Sequence, residues 1–172
     1  ITDAGGPAIM AVDELESIGV QVKRFSEETI QKFGRLKEEG KIPLFATNLN
    51  PVDLTGSATS EMFEFAARIL FEDPEVYGVV VIGLHHVPAL QEDFVDRIAE
   101  LSKRYRKPVV ACDIGETEMA LYIRSRFDKL GVPAYSSPED AAHAIAALIN
   151  CGWYLRRVGG FEEYLEKFWR RV

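Results

Sequence analysis

Apolar positions at the start of the chain fall on one helical face: Ala8, Ala11, Val12, Leu15 and Ile18 stand at i, i+3, i+4, i+7 and i+10. The pattern stops at Gly19, and residues 20–25 then alternate apolar and polar, which predicts a short strand. Ser26 reads as the cap of a second helix. Glu27 and Glu28 fill its first turn, where the helix dipole favours acids, and Ile30, Phe33 and Leu36 supply its buried stripe until the pattern fades near Gly40. A third stripe, Phe63, Ala66, Ala67, Leu70 and Phe71, predicts a helix over residues 60–72. Residues 41–60 between them carry Pro43, Asn48, Asn50, Pro51, Asp53, Thr55 and Gly56, the composition of an ordered loop. Leu44, Phe45, Val52 and Leu54 within that loop are expected to be buried.

The second half has a different texture. Residues 76–84 and 108–114 are continuous apolar runs, which is how strands covered on both faces of a parallel sheet read. Helical patterns occupy residues 91–105 and 117–130, a short strand follows at 132–135, and a helix runs from Pro138 to about Arg157. After a break at Gly159-Gly160, a last amphipathic helix is expected to reach Arg171. Strands alternating with helices predict an α/β, three-layer flavodoxin-like domain with a parallel sheet. The chain opens on Ile1, at what reads as the end of a strand. The first strand is therefore expected to be truncated, and residues 1–172 to be one domain from a longer chain.

Charge and cysteine content narrow the class. A net charge of −7 argues against nucleic acid as a partner, and no apolar run approaches the roughly 18 residues a membrane span needs. Cys112 and Cys151 stand in no recognisable spacing, which fits a cytoplasmic chain with unpaired thiols.

The candidate chemistry begins at Gly5-Gly6-Pro7, directly before the first apolar stripe. Pro7 suits the first helical position, and the glycines permit a tight turn with no side chain over a ligand. Backbone N–H groups around Gly5, Gly6, Ala8 and Ile9 are expected to face out of the helix start and form an anion site, most naturally for phosphate. The plainer alternative is a turn that needs small residues. Neither G-x-G-x-x-G nor G-x-x-x-x-G-K-[ST] is present.

Ligands of parallel sheets collect beyond the carboxyl ends of the strands. That edge is expected to gather Asp3, the loop residues Asn50, Asp53 and Thr55, the adjacent His85 and His86, and residues 113–118. Asn50, Asp53 and Thr55 either close turns on their own backbone or line a site. His85 and His86 are candidates for an anion contact or a proton carrier, against rings that only hydrogen-bond loop backbone. No cysteine or third histidine stands at metal-ligand spacing from them, and His143, in a helix, reads as structural. Asp113, Glu116 and Glu118 have the chemistry to hold Mg²⁺, but acids after a strand also cap the next helix, and no metal site is expected. Tyr77, Trp153, Tyr154 and Trp169 read as core or interface residues.

Thr2-Asp3-Ala4-Gly5-Gly6-Pro7, followed some forty residues on by Asn50-Pro51-Val52-Asp53-Leu54-Thr55-Gly56, resembles the NDP-forming acyl-CoA synthetases. This is the succinyl-CoA synthetase superfamily, which includes ADP-forming acetyl-CoA synthetase. Lys107-Pro108-Val109-Val110-Ala111 and the stretch from Gly131 to Ala141 resemble the closing strands and helix of its C-terminal ligase-CoA domain. Asp3 departs from the Asn commoner in the family. The resemblance implies a flavodoxin-like domain of an ADP-forming acid–CoA ligase, which interconverts acyl-CoA, ADP and phosphate with acid, CoA and ATP. It further implies that the helix start at Gly5-Gly6-Pro7 stabilises the phosphate of a phosphohistidine carried in Ser-His-Thr-Gly-Ala of another domain. That motif is absent here, and His85 and His86 do not match it. The implied partners are the CoA-binding and phosphohistidine domains of the same chain and an ATP-grasp domain or subunit. CoA, ADP or ATP and Mg²⁺ belong to the complete enzyme; this domain alone is expected to bind no cofactor and to be inactive. A second reading is a non-catalytic acyl-CoA-sensing or docking module, for example fused to an acetyltransferase.

Overall fold

The computed structural model describes residues 1–85 and 87–169, with the side chains of residues 168 and 169 outside the description. His86, the last residues of the expected C-terminal helix and the Trp169 side chain therefore lie outside the described part.

Seven helices and three strands are described: α1 (Gly5–Ser17), α2 (Glu27–Glu38), α3 (Ser60–Glu72), β1 (Val79–Ile82), α4 (Phe94–Tyr105), β2 (Val109–Cys112), α5 (Glu118–Lys129), β3 (Ala134–Tyr135), α6 (Pro138–Arg157) and α7 (Phe161–Trp169). The strands pair in parallel in the order β1-β2-β3, with Ile82 opposite Cys112 and Cys112 opposite Tyr135. Thr2 extends this sheet by parallel bridges to Ile82 on one side and Asp53 on the other. The successive rows are therefore residues 52–54, residues 1–2, β1, β2 and β3.

Alternation along the strands explains the three layers. Val79, Val81, Val109 and Ala111 enter a core with Phe33 of α2, Phe63 and Phe71 of α3, Phe94 and Ile98 of α4, and Ile123 and Phe127 of α5. Ile82, Val110 and Cys112 point the other way, onto Ala11 of α1 and Ala141 and Ile145 of α6. Ser26, Thr59, Thr117 and Ser137 each cap the following helix through the side-chain oxygen.

Residues 20–25 correct the sequence reading, because they form no strand. The place beside residues 1–2 is taken by residues 52–54 from the expected loop: Thr2 N–H donates to Val52 O at 2.9 Å, and Leu54 N–H donates to Thr2 O at 2.8 Å. Val52 and Leu54 are fully buried there, whereas of residues 20–25 none is buried. Burial decides between two segments with equally good alternation. Leu44 and Phe45 depart from expectation in the other direction, at 76% and 74% exposed. The turn closed by Ala46 N–H on Pro43 O buries Ile42 and Ala46 and leaves the two residues between outside.

Candidate functional site

At the start of α1 the Thr2 side chain closes the turn, accepting from Ala4 N–H and donating to Ala4 O, both at 2.9 Å. With that turn in place the helix begins at Gly5 rather than at Pro7. Pro7 occupies the third helical position, where its missing N–H still leaves no bond unmade. Ala8 N–H donates to Ala4 O at 3.4 Å, and Ile9 lies a turn into the helix, so the outward donors are Gly5 and Gly6.

The two glycines have different surroundings. A Cβ on Gly5 would meet Asp53 Oδ2 at 2.8 Å, whereas one on Gly6 would meet nothing within 4 Å. One flank of the helix start is thus filled by a carboxylate of the chain itself, a placement the dipole favours, and the other is open. Asp53 is fixed there by accepting from Thr55 N–H at 2.8 Å, with Thr55 in the left-handed region at φ 70°. Asn50 is not part of this arrangement. It precedes residues 52–54 at the amino end of the sheet, and its amide donates to Lys23 O at 3.0 Å.

Beside the helix start is a buried polar cluster. The Asp3 carboxylate accepts from Leu84 N–H with both oxygens, at 3.2 and 3.1 Å. Burial raises its pKa to about 6, against the lowering effects of the Leu84 N–H and of His85. Asp113 Oδ2 and His85 Nδ1 are 2.6 Å apart, with side chains 2% and 4% exposed. A carboxylate can only accept, so Nδ1 carries the proton of this bond. His85 Nε2 and Asp113 Oδ1 are buried with no partner among the described residues. Arg124 secures the loop beyond Asp113, donating to Asp113 O at 2.7 Å and to Gly115 O at 2.6 Å. Gly115 sits at φ 103°, a backbone conformation that favours glycine.

The sequence-selected residues are therefore divided. Asp3, Gly5, Gly6, Asp53, Thr55, His85 and Asp113 share the carboxyl edge, and Asn50 does not. Arg124 was not foreseen; in sequence it is one of three basic residues, with Arg126 and Lys129, in the helix after Thr117. No group of three or more His, Cys, Asp or Glu among the described residues is arranged to hold a metal ion. Glu116 is paired with Arg124, and His143 with Glu14 of α1. Tyr77, Trp153 and Tyr154 are 58%, 53% and 55% exposed, so of the two expected readings, core or interface, the core one does not hold. Cys112 is a buried thiol pushed up to about 12 by desolvation, and Cys151 is exposed and unpaired.

These features define a parallel α/β domain whose first helix presents a glycine-lined start at the carboxyl edge. The Ligase-CoA domain profile matches residues 1–153, and the chain belongs to that family. It is 30% identical to the Pyrococcus furiosus protein named acetate–CoA ligase [ADP-forming] II subunit alpha, covering 93% of this chain and 34% of the relative. The Archaeoglobus fulgidus acetate–CoA ligase [ADP-forming] I is 34% identical over 86% of this chain and 20% of its own length. A crystal structure from Pyrococcus horikoshii OT3 superposes with a TM-score of 0.77 at 29% identity, over 88% of this chain and 34% of that one. The chain thus spans about a third or less of these relatives. No described helix is long and apolar enough to cross a membrane.

Proposed function

We propose that this chain is one domain of an ADP-forming acyl-CoA synthetase, of the acetate type, and that the α1 start stabilises a phosphoryl group in transit. The reaction interconverts acyl-CoA, ADP and phosphate with acid, CoA and ATP. The nucleophilic histidine, the CoA site and the ATP-grasp part come from other domains, in a cytoplasmic protein. The contribution of this chain is electrostatic. The N–H groups of Gly5 and Gly6, with the positive end of the α1 dipole behind them, offer fixed donors to a charge that moves between carriers. Such donors act by positioning and charge stabilisation, without bonds made or broken on this chain.

The observation that carries the reading is the open face of Gly6, in a chain whose family relatives are named as ADP-forming ligases. Those names favour the synthetase over a docking module. The test is Gly6→Leu in the full-length enzyme. A Cβ here meets no atom of this chain within 4 Å, so folding stability should hold or rise by up to about 1 kcal/mol from helix propensity. Turnover should fall by about a hundredfold, the scale of losing preorganised donors. Wild-type turnover in a folded Gly6→Leu enzyme contradicts the assignment.

A further inference from the structure

Inside the sheet one row is shorter than the strand beside it. Thr2 lies opposite Ile82, and β1 runs on toward the amino end as far as Val79. The bonds already formed fix what comes next in line. Ile82 N–H donates to Ile1 O and Ile1 N donates to Val80 O, both at 2.9 Å, while Thr2 N–H donates to Val52 O on the other side. A parallel ladder repeats every two residues, so the next groups are Val80 N–H and Gly78 O on one side and Val52 N–H on the other. None of the three has a backbone partner among the described residues. Val52 is 1% exposed, and a buried N–H without a partner is rare in folded chains.

These groups border a cleft of about 530 Å³ whose walls are apolar on both sides of the sheet. Val12 and Leu15 of α1 and Ile145 and Ile149 of α6 line one side, and Leu70 of α3 with Val76 lines the other. Apolar walls with ladder groups between them are what an internal strand of a parallel sheet requires. A second copy of the chain would add a strand at a sheet edge, and this position is internal. Ile1 is 9% exposed, and burial pushes an amine at its nitrogen down to about 5, whereas an amide N–H there simply continues the ladder.

We propose that the cleft is the seat of the segment joined to Ile1 N in the full-length protein, with at least two residues before Ile1 extending the row as a strand. The first accepts from Val52 N–H; the second accepts from Val80 N–H and donates to Gly78 O. The first faces α1 and α6, as Val80 beside it does, the second faces α2 and α3, as Val79 does, and both are apolar. The proposal rests on the reading of this chain as one domain of a longer enzyme. The preceding part of the protein then joins at the amino end of the sheet, opposite Gly5 and Gly6. A phosphoryl carrier in that part reaches the α1 start around the sheet, not across the joint.

The test is amide hydrogen exchange in the full-length protein, with its intact mass measured alongside. The N–H groups of Val52, Val80 and the second residue before Ile1 should exchange at least about a thousandfold more slowly than in an unstructured peptide. Exchange of all three within about tenfold of that peptide overturns the proposal, because the cleft is then unfilled. Slow exchange at Val52 and Val80 with fast exchange before Ile1 also overturns it, and gives the cleft to another segment or a second copy. An intact mass matching a protein that starts at Ile1 removes the longer-enzyme reading and the proposal with it. Upstream residues that are present but unprotected remove the proposal alone.

Discussion

The two ends of the sheet contain opposite kinds of opening. At the amino end, Val12 and Leu15 of α1, residues 19–26, Asn50, Gly78, Ile145, Ile149 and Trp153 surround an open cleft of about 530 Å³. At the carboxyl end the features are two glycine N–H groups at a helix start that is open on the Gly6 side, and a cluster of buried ionisable groups. The larger space is the poorer anion site. It runs along the flank of α1 from Ala8 to Leu15 and the residues after the helix, away from its N-terminal donors, and much of its wall is aliphatic. The smaller one lies where α1 starts and supplies the donors an anion needs. Arrangement of polar groups, more than volume, separates them.

The comparison is broken most strongly by cutting the polar cluster. Asp113→Ala leaves the His85 Nδ1–H buried without its acceptor, and an unsatisfied buried donor that had bonded a carboxylate destabilises by about 3 kcal/mol. Denaturant unfolding of the variant checks this, and a loss below about 1 kcal/mol would show that the pair is not held as described.

A smaller effect is expected from Asp3. Its carboxyl, facing His85 and Asp113, is raised by burial to about 6 in the folded state, above the unfolded value of about 3.9. Between those values the folded form holds a proton that the unfolded form has released. This group therefore adds stability as pH falls through about 6, and the gain levels off below about 4. Asp3→Asn removes that dependence. The variant should exceed the parent by on the order of 2 kcal/mol at pH 7.5 and match it near pH 4. Parallel stability curves for the two proteins across that range would contradict the burial of this carboxylate as the cause.

Much of the fold was legible because local and tertiary signals agree. The Phe63–Phe71 stripe gives α3 its observed span, and the runs around Val81 and Val110 become strands buried on both faces. Where the two signals conflict, the pattern misleads. Residues 20–25 alternate like a strand, but the sheet position goes to Val52 and Leu54, which hide more apolar surface. At the site, Gly5-Gly6-Pro7 marks the helix start, although Thr2 moves it two residues upstream. His85 and Asp113 were expected at one edge, but their pairing was not legible: they are 28 positions apart and meet because β1 and β2 are neighbours. The role of Asn50 was misplaced for the same reason, since a strand from 52 to 54 puts it at the opposite end from Thr55.

Backbone amides report directly on which end of the sheet receives the anion. Glycines mark both places, Gly5 and Gly6 at the start of α1 and Gly19 and Gly78 in the wall of the cleft. In a ¹⁵N amide titration of the full-length protein with inorganic phosphate, the Gly5 and Gly6 resonances should move saturably while Gly19 and Gly78 stay in place. Saturable movement at Gly19 and Gly78 with Gly5 and Gly6 unmoved would contradict the account and put the anion in the cleft.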